Sequence, residues 1–133
     1  DHAALAKEKG ATWVVASEDE WYKAAYYDPN KGGYWTYPDG SDTPPAANLS
    51  TNYPSDVGSY ENVTSPYGTH DPGGNLSEYN DSKRGNQLGL RGGSFYVNDG
   101  ANYMRSNVRY DVLSAKWPNY GFRVARLGEV PEE

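Results

Sequence analysis

The sequence predicts an α+β domain in which two helices and a few strands are joined by very long irregular loops. Three observations carry that reading: two helix signals within the first 30 residues, two strand-like runs in the last third, and some fifty residues between them without a sustained period. At 133 residues the chain fits one domain, taken as 1–133, and is long enough to bury a core.

The elements follow in order. DHAALAKEKG reads as the end of an amphipathic helix with a glycine stop. Ser17-Glu18-Asp19-Glu20 is a capping box, in which the Ser17 hydroxyl accepts from the Glu20 N–H and the Glu20 carboxylate reaches back. Trp21, Ala24 and Ala25 then share one helix face, and Asp28-Pro29 ends the helix. Residues 30–84 are dense in Gly, Pro, Asn, Asp, Ser and Tyr and are expected to be loop. Such a stretch has too little regular hydrogen bonding to hold itself, so metal ions, buried waters or aromatic clamps are expected to fix it. Residues 88–95 (LGLRGGSF) are expected to form one strand. Residues 120–127 (YGFRVARL) are expected to form another, with Phe122 and Val124 alternating along one side. The acidic end, 128–133, is expected to fray.

Composition narrows the function. Apolar residues make up 36%, but 13 Tyr and 4 Trp bring large contact areas with polar tips, suited to a core and to a recognition surface alike. A formal net charge of −6 argues against nucleic acid or an anionic membrane as partner. No run approaches the roughly 18 apolar residues of a spanning helix. The absence of cysteine excludes disulfides, thiolate zinc sites and cysteine nucleophiles. Asn-x-Ser/Thr triplets at Asn48, Asn62, Asn75 and Asn80 are taken as loop markers.

Four ordered motifs, SEDEWYKAAYY (17–27), SPYGTHDPGGNLSEYND (65–81), LRGGSF (90–95) and GFRVAR (121–126), resemble those of the formylglycine-generating-enzyme (sulfatase-modifying-factor) family. The resemblance implies a C-type-lectin-like fold of the formylglycine-generating type: a small twisted antiparallel sheet, two helices and long loops. The upstream part of the family domain has no counterpart here. Either another chain supplies its strands, or the sequence is a trimmed piece, or the fold is minimal.

Departures from the family decide the chemistry. Catalytic members place two copper-binding cysteines after LRGGS, at about Val97 and Asn102 here, and neither residue can be a thiolate. Relatives that hold iron through three histidines are not matched either, since His2 and His70 are the only histidines. A non-catalytic domain is therefore expected, with a metal-dependent oxygenase as the weaker alternative. Asp71-Pro72-Gly73-Gly74-Asn75-Leu76-Ser77-Glu78 aligns with a loop in which family members bind calcium. The resemblance implies structural calcium held by the carboxylates of Asp71 and Glu78 and the carbonyls of Gly74 and Leu76. A weaker second site would use Asn48 and Asp56. His70 is read as an exposed loop residue.

The segment after LRGGS also resembles that of a subset of the family, the variable proteins of diversity-generating retroelements, in which asparagine codons are rewritten. The resemblance implies a displayed ligand-binding face made of Phe95, Tyr96, Val97, Asn98, Asp99, Tyr103, Val108, Tyr110, Asp111, Val112, Leu113, Trp117, Asn119 and Tyr120. Its partner would be a protein or a cell-surface ligand, with display on a virion or prokaryotic cell. Arg105 and Arg109 are expected to anchor the segment rather than touch ligand. The rival reading is an inactive structural domain without a diversified face. Carbohydrate binding is disfavoured by the lack of an EPN- or QPD-like triplet.

Overall fold

The computed structural model describes residues 9–96 and 100–128. The N-terminal helix expected over 1–10, the frayed tail and the expected ligand contacts Val97, Asn98 and Asp99 lie wholly or largely outside the described residues.

The capping box forms as its residues dictate. Glu20 N–H donates to Ser17 Oγ at 3.3 Å, Ser17 N–H donates to the Glu20 carboxylate at 2.9 Å, and helix α1 runs Glu18–Tyr26. Its buried side carries Trp21, Ala25 and Tyr26, packed edge to face (Trp21–Tyr26 centroids 5.8 Å apart). Before it lies β1 (Trp13–Val15), which pairs antiparallel with β8 (Val124–Arg126) near the other end of the chain. A two-residue ribbon, β2 (Tyr27–Asp28) with β3 (Gly33–Tyr34), follows the helix.

The main sheet has the order β6–β5–β4–β7, from β4 (Ser77–Arg84), β5 (Gln87–Arg91), β6 (Tyr110–Leu113) and β7 (Tyr120–Phe122). Neighbours pair antiparallel except β4 and β7, which run parallel. A short helix α2 (Gly100–Tyr103) precedes β6.

Three expectations are corrected. First, β4 is a central strand although SEYNDSKR reads as loop, and with it Asn80 is a fully buried strand residue rather than a loop marker. Second, the 88–95 strand stops at Arg91. Gly92 (φ +97°) turns the chain where an added Cβ would sit 2.8 Å from the Pro72 carbonyl oxygen, and its own carbonyl accepts from Gly74 N–H. Third, the strand expected over 120–127 is two: β7 ends at Phe122 and β8 begins at Val124 in another sheet, with both residues exposed (65% and 52%) and Arg123 between them bonded to Glu78.

The long tract is held by aromatic rings and by one asparagine hub, with no regular ladder over most of its length. Tyr22, Tyr26, Tyr27, Tyr34 and Tyr67 make a chain of ring contacts 5.0–6.5 Å apart. Lys31 lies 3.5 Å over the Trp35 ring. Asn75 (φ +61°) accepts at its side-chain oxygen from Ser55 N–H (2.8 Å) and the Asn48 amide (3.2 Å), and donates to the Ser55 carbonyl. Asn48 also donates to the Tyr53 carbonyl, so both asparagines stitch residues 48–55 to the loop before β4.

Candidate recognition face

Side chains alternate across a sheet, so the registers sort the strands into two faces. The inner face lies against α1 and is ionic. Glu18, at the first helical position, receives Arg91 (Nε 2.6 Å), Arg109 (Nη1 3.4 Å) and the Asn80 amide, while its own N–H donates to Ser82 Oγ. Arg91 also donates to the carbonyls of Ser106 and Val108, and Arg109 to Asp111 and to the carbonyl of Ser82. These bonds fix the chain on its way from α2 into β6, so Arg109 anchors the segment as expected. Arg105 is exposed, and its side chain, unlike its backbone, has no polar partner among the described residues.

On the outer face the registers Ser77↔Tyr120, Tyr79↔Leu90, Tyr79↔Phe122, Leu90↔Tyr110 and Leu88↔Val112 place eight residues on one side. Seven of the eight are aromatic or aliphatic, where a solvated sheet face is ordinarily polar. Tyr110 is 44% exposed and Phe122 65%, while Leu90 lies buried beneath them. Tyr103 stacks on Tyr110 with centroids 5.3 Å apart, and Tyr79 meets Tyr120 edge to face at 5.6 Å. Between them opens a recess of about 230 Å³ lined by Ser77, Leu90, Tyr103, Tyr110, Val112, Asn119 and Tyr120 together with Arg91 and Gly93. Burial and the hydrogen-bonded Tyr103 hydroxyl push the Tyr110 phenol up to about 12. Burial, then the Tyr79 charge, raises Tyr120 as well. Both rings are therefore neutral at ordinary pH.

The loop 114–119 flanks this face. The Tyr79 hydroxyl donates to the Ala115 carbonyl at 2.8 Å and accepts from its N–H at 3.3 Å. Trp117 stands out from the loop, 61% exposed.

Of the expected contact residues, Tyr96, Tyr110, Leu113 and Trp117 are exposed, and Tyr103, Val108, Asp111, Val112, Asn119 and Tyr120 are half-buried. Phe95 is a correction: it is 3% exposed, with its N–H donating to Asn75 O and its carbonyl accepting from Thr51 N–H, so it fills the interior. Asp111 is committed to Arg84 and Arg109. Residue-type reasoning missed Ser77, Tyr79, Leu88, Leu90 and Phe122. The signal was present, since residues 120–122 and 88–90 alternate in step, but it needed the partner strand β4 to show which side faces out.

The residues aligned with a calcium loop form a different arrangement. Glu78 is 9% exposed, and its carboxylate receives Trp21 Nε1 (2.6 Å), Arg123 Nε (2.6 Å) and Arg123 Nη2 (2.7 Å). Arg123 Nη2 also donates to the carbonyls of His70 and Asp71 at 3.1 and 3.2 Å. Burial opposes the guanidinium charge, but the Glu78 hydrogen bonds and charge, with Asp71 adding to them, hold it more firmly protonated than usual. An arginine thus sits between the Glu78 carboxylate and the backbone carbonyls of His70 and Asp71, and Glu78 as arranged is open to calcium only if Arg123 withdraws. At the weaker second site, Asn48 is spent on Tyr53, Asn75 and Thr51. Among the described residues no three His, Asp or Glu side chains gather as a metal cluster. His70 is exposed, as expected.

No family model and no curated protein matches the chain. Among solved structures it is similar to Treponema denticola variable protein 1, with a TM-score of 0.67 and 22% identity over 86% of this chain and 47% of that one. It is similar to PvdO from Pseudomonas aeruginosa (TM-score 0.63, 22% identity, 93% and 56% covered) and to CarF (0.57, 22%, 90% and 50%). The chain spans about half the length of these structures. Among the described residues no helix is long and apolar enough to cross a membrane.

Proposed function

From the C-type-lectin-like fold of the formylglycine-generating type, which this chain shares with those structures, we propose a non-catalytic recognition domain, the variable protein of a diversity-generating retroelement. Its binding face is the outer side of the sheet with Tyr96 and the 110–120 segment, and its ligand is a protein or a cell-surface molecule. The observation that carries this is the outer face itself, where Tyr110, Val112, Tyr120 and Phe122 line up toward solvent over a frame locked by Arg91, Arg109 and Glu18. An exposed apolar patch is costly in solubility unless something covers it, and Tyr with Asn and Ser is the mixture of a paratope. The likeness to a protein described as variable supports the finer part of the reading.

Sequencing independent isolates of the locus tests it. Changes should concentrate at Tyr96, Tyr110, Asp111, Val112, Leu113, Asn119 and Tyr120 and spare Arg91, Ser94 and Arg109. An even scatter along the chain would refute diversification. Loss of all binding partners' affinity on replacing Tyr110 and Trp117 by serine would support recognition through this face.

A further inference from the structure

The recess at the middle of the outer face has a size, a wall chemistry and two idle polar groups that together describe an occupant. Its volume of about 230 Å³ falls below the roughly 300–1,000 Å³ of pockets that enclose a drug-sized ligand, so it suits a single chemical group. The walls are rings: the Tyr103–Tyr110 stack and Tyr120, over a floor of Leu90 and Val112.

Two hydrogen-bonding groups on the lining have no partner among the described residues. The Ser77 side chain is on a residue 7% exposed and makes no hydrogen bond among the described residues, while its backbone N–H donates to the Asn119 carbonyl. The Asn119 amide donates to Ser94 Oγ at 3.1 Å, which leaves its side-chain oxygen idle. Buried polar groups are ordinarily satisfied, and leaving one unmet is unfavourable.

Charge does not enter. Arg91 is neutralised by Glu18, Asp111 by Arg84 and Arg109, and the phenols stay protonated. A charged group brought here would lose hydration without gaining a counter-charge. A sugar would bring more hydroxyls than two polar groups can meet.

We propose that this recess seats one uncharged aromatic side chain bearing an N–H or O–H, a tryptophan before all others, projected by the protein that the face recognises. The ring lies against Tyr103, Tyr110 and Tyr120, and its N–H donates to the Ser77 hydroxyl. Such a seated aromatic is the usual anchor of a protein interface. The proposal rests on the recognition reading and adds the chemistry of its central contact.

The test uses the whole domain with labelled tyrosine rings, titrated with N-acetyl-L-tryptophanamide and followed by NMR. Saturable shifts at Tyr103, Tyr110 and Tyr120, absent with N-acetyl-leucinamide and with methyl glucoside, are expected. Ser77→Ala, a substitution that removes only the hydroxyl, should weaken binding by about three- to tenfold with an unchanged circular dichroism spectrum. No saturable shift, equal response to the leucine amide, preferred response to the glucoside, or unaltered affinity in Ser77→Ala would each overturn it. So would ring shifts that depend on protein concentration without any probe, since a second copy would then fill the recess.

Selection of displayed random peptides on the immobilised domain separates this failure from that of the broader reading. Binders lost in Trp117→Ser but neither aromatic at one fixed position nor displaced by the tryptophanamide would sink the recess and leave recognition standing. Tryptophanamide binding with no peptide sensitive to Tyr110→Ser or Trp117→Ser would sink recognition through this face.

Discussion

Replacing Arg123 by glutamine removes the guanidinium that closes the loop before β4. Glu78 would keep one N–H, from Trp21 Nε1, and lose two charged donors at 2.6 and 2.7 Å. Breaking a buried pair by deleting one partner costs about 3–5 kcal/mol, because the remaining charge stays desolvated. The Arg123 side chain is 26% exposed, so water and salt screen part of that, and about 2–3 kcal/mol is expected. For a domain of this size each kcal/mol moves the melting temperature by roughly 3–5 °C, so the shift should be about 6–15 °C. Equilibrium urea unfolding with an unchanged slope gives the number directly. A loss below about 0.5 kcal/mol would mean that the pair is not closed in solution. Calcium supplies a second readout. With Arg123 gone, the Glu78 carboxylate and the carbonyls of His70 and Asp71 lose their shared cation, and millimolar calcium should raise the variant's melting temperature while leaving the parent protein unmoved. Unfolding of the parent by a chelator would refute Arg123 as the resident cation.

Gly89→Ala should destabilise by about 1–3 kcal/mol, since its Cβ would meet Asn80 Oδ1 at 2.5 Å and Arg109 Nη2 at 2.8 Å; thermal unfolding checks this, and a neutral result would show that the inner ionic face can shift. Asn75→Ala removes three side-chain hydrogen bonds to Asn48 and Ser55 and should cost about 2–3 kcal/mol, with limited proteolysis moving into residues 48–56 before global unfolding. Alkaline titration followed by tyrosine absorbance should show a phenol near 12 that disappears in Tyr110→Phe. Because that pKa is raised on folding, its contribution to stability is complete below the unfolded value of about 10 and fades as pH climbs from there through the folded one. A phenol at Tyr110 that titrates with the exposed tyrosines would refute the stack with Tyr103.

The start of helix α1 was legible, because a capping box is a local device whose donors and acceptors lie three residues apart. Strand β4 was not. Glu78 and Asn80 read as loop by type, and their burial depends on groups 45–62 residues away: Arg123, Trp21 and Glu18. A carboxylate or amide goes inside when distant partners satisfy it, and no window along the chain holds that information. The same holds for the site. Tyr96, Tyr110, Leu113 and Trp117 could be named from the register of the last motifs, whereas Phe95, adjacent to Tyr96, turned inward because Gly92 and Gly93 redirect the chain. Phe122 and Val124 could be put on one side of the run, but which side that was could not be read. Alternation locates the two sides of a strand, but a single Arg123–Glu78 bond decided which side was in.

Tyr79 holds the neighbouring loop at Ala115 through that residue's peptide group alone, accepting from the N–H and donating to the carbonyl. Any amino acid except proline offers the same two atoms. The crest from 114 to 118 can therefore be respelled almost freely without drifting from its mooring, which makes it a natural graft point for foreign hexamers and a place where heredity can experiment at little structural risk.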